Sequence, residues 1–181
     1  MFTRSARACA VVAAAIALGA ARAGAQESPG LGEPITAADL APWDISIQPD
    51  GTGLPPGSGT AAAGERIYAA KCVACHGEKG AGQPNDRLVG GQDTLTQLAQ
   101  TRTIGSFWPY ASTVFDYIRR AMPFQSPQSL GNDEAYALTA YLLALNGIID
   151  EDEEMNARTL ARVRMPNRDG FILAYPERAQ R

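Results

Sequence analysis

Two cysteines and a histidine lie together in the segment Cys72-Val73-Ala74-Cys75-His76. Residues three apart on a helix share one face, so both thiols would point the same way with the imidazole beside them. Two thiols in this arrangement can add across the vinyl groups of a haem while the imidazole binds the iron, and C-x-x-C-H is the pattern of c-type haem attachment. The motif therefore predicts one covalent haem c, held by Cys72 and Cys75, with His76 as an axial ligand of the iron.

A zinc half-site and a dithiol redox pair are the two alternatives for a C-x-x-C pattern. Zinc needs four ligands, usually from two separated pairs, whereas the whole sequence has three cysteines and one histidine. A thioredoxin-like pair would need strand and helix patterning around the motif, but glycines at positions 77, 80 and 82 indicate a loop directly after it. Both alternatives are disfavoured.

The second axial ligand of a haem here would have to be a methionine, water or something weaker, because the chain has a single histidine. Met155 adjoins the acidic run 150–154 and is expected on a solvated face. Met122 and Met165 each precede a proline, which disfavours helix at the methionine and favours an extended loop. Met165 is expected in a surface tail. No residue is expected to be catalytic, because two ligands on the iron leave no open position and imply electron transfer.

Residues 1–25 have the pattern of a secretory signal peptide. Arg4 and Arg7 precede the apolar run Ala8 to Ala21, and Ala23-Gly24-Ala25 forms a small-residue cleavage site. The apolar run is shorter than the roughly 20 residues that cross a bilayer, and no later stretch is apolar enough to span one. The sequence therefore predicts cleavage after Ala25, export and no membrane span.

The expected mature chain of 156 residues is long enough for one domain with a core. Three of the 16 basic residues lie in residues 1–25, which leaves 13 against 19 acidic residues and a formal charge of −6. An acidic chain is an improbable ligand of nucleic acid and favours approach by a basic patch on another protein.

Helix and loop are predicted throughout, so the fold class is all-α. Residues 26–60 are rich in proline and glycine and are expected to form an extended arm, with a capped turn at Thr36 and Asp39 and a brief strand over 43–47. Gly64 costs helix stability and indicates a close backbone neighbour, for which the last helix, over residues 133–145, is the best candidate. Helices are predicted over Ala61 to Lys71, Asp93 to Gln100, Ser112 to Ala121, and Asp133 to Leu145 with Asn132 as its N-cap and Leu138, Tyr141, Leu142 and Leu145 buried.

The order of these features resembles that of a class I c-type cytochrome. A first helix ends in Cys-x-x-Cys-His and is followed by a Gly/Pro loop, intermediate helices, a Met-Pro and a last amphipathic helix. The resemblance covers residues 61–147, between an arm over 26–60 and a tail over 148–181. It implies that the first and last helices cross beside the haem and that Met122 is the second axial ligand. It also implies that a proline carbonyl, matched here by Pro84, accepts the Nδ1 proton of His76, although Pro84 could instead only shape a turn.

Arg102, Trp108 and Tyr110 lie in the segment 101–110 and could donate hydrogen bonds to the haem propionates. The aromatic residues could equally be ordinary core.

The flanks resemble one family more closely: the cytochrome subunit that accompanies a molybdoprotein sulfite or sulfane-sulfur dehydrogenase in periplasmic thiosulfate oxidation. The matching segments are Trp43-Asp44-Ile45, residues 49–57, residues 103–110, residues 117–124 and residues 165–171. Members with a second haem domain carry another Cys-x-x-Cys-His, which this chain lacks. The resemblance implies a periplasmic electron-transfer subunit with molybdenum in its partner and a downstream cytochrome or oxidase as acceptor. The alternative is a free cytochrome shuttling between other dehydrogenases and a terminal oxidase.

Overall fold

The computed structural model describes residues 30–172, 174 and 175; the predicted signal peptide lies outside them. The chain divides into two units, residues 1–44 and 45–181. The helices are α1 (Ala37–Leu40), α2 (Ala61–Lys71), α3 (Val73–His76), α4 (Ala111–Ala121), α5 (Asn132–Leu145) and α6 (Ala157–Leu160), with a 3₁₀ turn at Glu78–Gly80. The described residues also form two three-residue strands, β1 (Ser58–Thr60) and β2 (Glu154–Asn156). The predicted all-α class is confirmed.

The described part of the first unit, residues 30–44, contains α1 and exposes its large apolar side chains. The predicted cap is present: the Thr36 hydroxyl accepts from the Asp39 amide, and the Asp39 carboxylate accepts from the Thr36 amide at 2.9 Å. These hydrogen bonds lower the pKa of Asp39. Trp43 is 82% exposed. The strand predicted over 43–47 does not form.

Helices α2 and α5 pack closely because α2 carries a glycine at the contact. A Cβ atom at Gly64 would overlap the carbonyl oxygen of Ala137 on α5, so the predicted close backbone neighbour is confirmed. Thr60 caps α2 by accepting a hydrogen bond from the amide of Ala63. The predicted bounds of α2, residues 61–71, are confirmed.

Gly64→Ala is expected to destabilise the folded protein although alanine favours helix by about 1 kcal/mol over glycine. The added methyl group must push α2 away from α5, and overpacking of this kind costs about 1–3 kcal/mol. Ala62→Gly is the matched control, because Ala62 is an exposed position of the same helix and this change measures the helix-propensity contribution alone. Thermal unfolding checks this: a melting temperature of Gly64→Ala at or above that of the wild type would contradict the close contact.

The last core helix, α5, is buried over nearly its whole circumference. It begins at Asn132, one residue before the predicted start, and its N-cap is Gly131, so the prediction of Asn132 as cap is wrong. The Asn132 side chain instead donates to the Pro56 carbonyl at 3.1 Å. All residues from Ala135 to Leu143 are buried because α2, α4 and β1 all contact the helix. Leu145 of the predicted face is only partly buried.

The segment after α5 returns to the core instead of forming a surface tail at Met165. β2 pairs antiparallel with β1, with Met155 opposite Gly59. Met155 and Met165 are 0% and 1% exposed, so the expected solvated face for Met155 and the surface position for Met165 are both wrong. Alternation along β2 turns Glu154 outward and Met155 inward. Further along the chain, the Asn167 side chain donates a hydrogen bond to the Phe107 carbonyl at 2.8 Å.

The helix predicted over residues 93–100 does not form either. Thr94 takes part in turn hydrogen bonds instead: its hydroxyl donates to the Gly91 carbonyl at 2.7 Å and accepts from the Thr101 amide at 3.0 Å. Threonine side chains that bond nearby backbone compete with helix formation. The predicted helix at Ser112 is confirmed as α4, beginning at Ala111. Among residues 30–172, 174 and 175, no helix is both long and apolar enough to cross a membrane.

Candidate haem site

A cavity of about 360 Å³ lies between the α2–α3 junction, α4 and α5. This volume is in the range of pockets that bind small molecules, about 300–1,000 Å³. The polar, charged and sulfur-bearing side chains of its wall include Lys71, Cys72, Cys75, His76, Asn85, Asp86, Arg87, Arg102, Met122 and Gln125, and the apolar and aromatic part includes Tyr68, Leu88, Ile104, Trp108, Val114, Tyr117, Ile118, Phe124, Leu130, Leu138 and Leu142.

The Cys-x-x-Cys-His segment forms the helical turn that its spacing predicts. The amides of Cys75 and His76 donate to the Cys72 carbonyl at 3.1 and 3.0 Å, and all three side chains line the cavity. Neither cysteine forms a disulfide among the described residues, and burial raises the pKa of the Cys72 thiol to about 11. The described residues contain no group of three His, Cys, Asp or Glu that could hold a metal ion.

The loop after His76 is folded tightly against it. Gly77 adopts φ +71°, and the Gly82 amide donates to the His76 carbonyl at 2.8 Å. From α2, the Tyr68 hydroxyl donates to the Gly77 carbonyl at 2.9 Å. Burial raises the pKa of Tyr68 to about 12, so this phenol remains a donor at neutral pH. The histidine backbone is therefore fixed from both the loop and α2.

The hydrogen-bond partner of the His76 ring differs from the predicted one. Nδ1 lies 3.0 Å from the carbonyl oxygen of Asp86, not that of Pro84. Pro84 lies inside a turn in which the Gln83 amide donates a hydrogen bond to the Asn85 carbonyl at 2.7 Å. This turn places the Asp86 carbonyl beside the imidazole ring of His76. The prediction for the Pro84 carbonyl is wrong, and the structure agrees with the alternative in which this proline shapes a turn. A carbonyl acceptor at Nδ1 leaves Nε2 as the atom available to a metal.

Met122 contributes to the same cavity from the C-terminal end of α4. Its amide donates to the Ile118 carbonyl at 3.1 Å, and its backbone is extended at φ −118° and ψ 147°. Met155 and Met165 do not line this cavity. Of the three methionines after residue 25, only Met122 is thus placed with the cysteines and His76.

Only two of the three predicted propionate donors lie at the cavity. Arg102 and Trp108 line the cavity, whereas Tyr110 does not. Tyr110 instead lies under the guanidinium of Arg168, 4.3 Å from the ring centroid. Trp108 packs edge-on against Tyr117, with ring centroids 5.6 Å apart.

Several cavity residues were not predicted from the sequence, among them Tyr68, Tyr117 and Phe124. Tyr68 belongs to the apolar stripe of the first helix, but that stripe does not distinguish a cavity wall from ordinary core. Phe124 follows Met122-Pro123 directly and is 78% exposed. In the sequence, the available signal was a large aromatic residue directly after the Met-Pro pair.

The cavity fits a covalently attached haem. Two thiols and an imidazole occupy one wall, a thioether is on the wall that also contains α4, and apolar side chains from α5 lie between them. This donor set matches His/Met ligation. Together with the helical fold, it defines a class I c-type cytochrome.

Comparisons with known proteins agree with this class. A family model described as cytochrome C oxidase, cbb3-type, subunit III matches residues 59–142. The crystal structure of the sulfane dehydrogenase SoxCD from Paracoccus pantotrophus contains a chain 40% identical to this one, over 84% of this chain and 76% of that chain, with a TM-score of 0.78. The chain belongs to the cytochrome c family of that sulfane dehydrogenase chain. No curated protein matched the sequence.

Proposed function

We propose that this chain is a periplasmic mono-haem cytochrome c, the electron-transfer subunit that accepts electrons from a molybdoprotein sulfite or sulfane-sulfur dehydrogenase. The observation that carries the proposal is the 40% identity, over 84% of the chain, to a chain of a sulfane dehydrogenase. The predicted signal peptide supports export. The downstream acceptor would be another cytochrome or an oxidase.

Each cavity wall has a role in this proposal. Cys72 and Cys75 would hold the haem through thioether links, and His76 and Met122 would supply the protein ligands of its iron. Arg102 and Trp108 are proposed to contact the propionates, since both line the cavity. The haem supplies one-electron redox chemistry. The Asp86 carbonyl, 3.0 Å from Nδ1, orients the imidazole and increases its basicity.

The chain is proposed to transfer electrons without catalysing sulfur oxidation by itself. With His76 and Met122 both bound, the iron would have no open position for a sulfur substrate or oxygen. Sulfur chemistry on a thiol would need a cysteine besides Cys72 and Cys75, and Cys9 lies in the predicted signal peptide. Oxidation of the sulfur atom is therefore assigned to molybdenum in the partner.

The exposed apolar side chains of residues 30–44 support a role in docking. Leu31, Ile35 and Trp43 are all exposed, and α1 has no buried residue. Apolar aromatic side chains are frequent anchors of protein interfaces. The acidic charge of the chain would steer a basic surface of the partner toward it, an effect that salt weakens.

Stopped-flow haem absorbance tests the proposed function. With sulfite or thiosulfate alone, the oxidised cytochrome is expected to stay oxidised; with the molybdoprotein and its substrate, it is expected to be reduced within milliseconds to seconds. Deleting residues 26–43 is expected to weaken the complex and leave the haem spectrum unchanged, since this deletion spares the unit that begins at Ile45. Rapid reduction by sulfite alone would contradict the electron-acceptor role.

A free electron shuttle is the second candidate, favoured by the match to a model described as an oxidase subunit. Purification from the native organism separates the two candidates. A molybdoprotein that co-elutes in a fixed ratio supports the subunit, whereas a cytochrome that elutes alone supports the shuttle.

A further inference from the structure

A second, smaller cavity lies beside the C-terminal half of α4. Its volume is about 110 Å³, and Leu130 lines both cavities. One buried water needs only about 10–15 Å³ by this kind of measure, so the space admits a group of several heavy atoms. The other lining residues are Ile45, Asp116, Arg119, Arg120, Gln128 and Asn132.

The only carboxylate in this wall is already paired. Arg120 donates from Nη2 to Asp116 Oδ1 at 2.8 Å and from Nε to Oδ2 at 3.2 Å, a bidentate ion pair. Arg120 Nη2 also donates to the Ile45 carbonyl at 3.2 Å. The charges of Asp116 and Arg120 therefore offset each other.

Arg119 adds a positive charge that nothing in the wall compensates. Its side chain is half-buried, and among residues 30–172, 174 and 175 it makes no hydrogen bond or ion pair. Its nitrogens have no acceptor among the described residues, so an anion in the cavity would give the guanidinium one. The net charge of the lining is +1, from Arg119 and Arg120 against Asp116.

Amide groups complete the polar wall. Asn132 uses one N–H on the Pro56 carbonyl at 3.1 Å, which leaves its second N–H as a donor. Gln128, in the left-handed region at φ 62°, brings another carboxamide to the same space. The wall thus offers a guanidinium fork and amide donors together.

We propose that this cavity binds a small oxyanion of the sulfate type, with Arg119 as its principal contact. The planar guanidinium can donate two parallel hydrogen bonds to two oxygens of one anion, which makes the site selective for oxyanions over a monatomic anion. Sulfate and phosphate share this chemistry. The site is independent of the proposed electron partner.

Nuclear magnetic resonance of the reduced holoprotein, labelled with ¹⁵N, tests the site. Sodium sulfate is titrated at constant ionic strength, with sodium chloride replaced as sulfate is added. Saturable shifts are expected for the Arg120 Nε–H and the side-chain amides of Gln128 and Asn132. Sodium phosphate in a parallel titration shows which of the two oxyanions binds more tightly, and saturation by either supports the site.

Three variants make the test specific to Arg119. Arg119→Gln is expected to weaken sulfate binding at least about tenfold, because the charged fork is lost. Arg119→Lys keeps the charge without the fork and is expected to bind with intermediate affinity. Arg162→Gln is the matched control: it makes the same change of charge at an exposed arginine outside both cavities, and its affinity is expected to equal that of the wild type.

Three results would overturn the proposal. The first is a sulfate response that does not saturate in the wild type. The second is the same affinity in the wild type and Arg119→Gln. The third is chloride binding as tight as that of both oxyanions, measured by titrating sodium chloride into the protein in a buffer without oxyanions, which shows that the wall does not select an oxyanion.

Discussion

The Cys72→Ala/Cys75→Ala variant is expected to lose covalently bound haem completely. Both thiols line the haem cavity on one helical turn, and the remaining cysteine, Cys9, lies in the predicted signal peptide. No other thiol in the expected mature chain can form a thioether. Denaturing gels stained for haem measure the loss, because only covalent haem migrates with the unfolded chain.

The single variants give the control for this result. Cys75→Ala and Cys72→Ala each keep one thiol in the cavity wall, so each is expected to retain a single thioether where the haem is inserted. Mass spectrometry of the wild type is expected to show one haem per chain, because residues 26–181 contain one Cys-x-x-Cys-His. Haem that remains on the gel with the double variant would contradict the attachment site.

The parts of the fold that the sequence predicted are those set by local signals. The bounds of α2 and the start of α4, within one residue, follow from apolar spacing, and the Thr36 cap follows from a side chain and an amide three residues apart. The prediction at Gly64 also rested on local sequence, since a glycine inside a helix usually has a packing reason. The predicted partner helix, over residues 133–145, is confirmed, and the structure identifies Ala137 as the contacting residue.

The errors arose where distant segments meet. Met155 is adjacent to five acidic residues, and nothing local indicates that β2 pairs with β1 almost a hundred residues earlier. That pairing points Met155 into the core. The chain after β2 also packs against the core, and Met165 is buried there. Register and strand partner depend on the whole fold, so composition alone suggested a solvated face.

The ring partner of His76 shows the same limit within a short loop. The resemblance pointed to Pro84, but the acceptor is the Asp86 carbonyl two residues later. The position of that carbonyl depends on the left-handed backbone at Gly77 and on the turn around Pro84. The resemblance implies that such an acceptor exists, and the loop geometry selects which residue supplies it.

The second large effect concerns the sulfur ligand. Met122→His is expected to keep the covalent haem and to lower its midpoint potential by on the order of 0.1 V, because thioether sulfur favours the reduced iron more than imidazole does. The charge-transfer band between iron(III) and sulfur should disappear with the thioether. Potentiometric titration and near-infrared absorbance of the purified variant measure the two effects.

Met165→His is the matched comparison, since Met165 also precedes a proline and is buried. It does not line the haem cavity, so its replacement should leave both the potential and the sulfur band unchanged while lowering the melting temperature, because a polar ring replaces a buried thioether. Loss of the band in the Met165 variant alone would identify Met165 as the ligand. Since Met122 and Met165 share a local sequence pattern and differ in their place in the fold, the comparison separates ligation from burial.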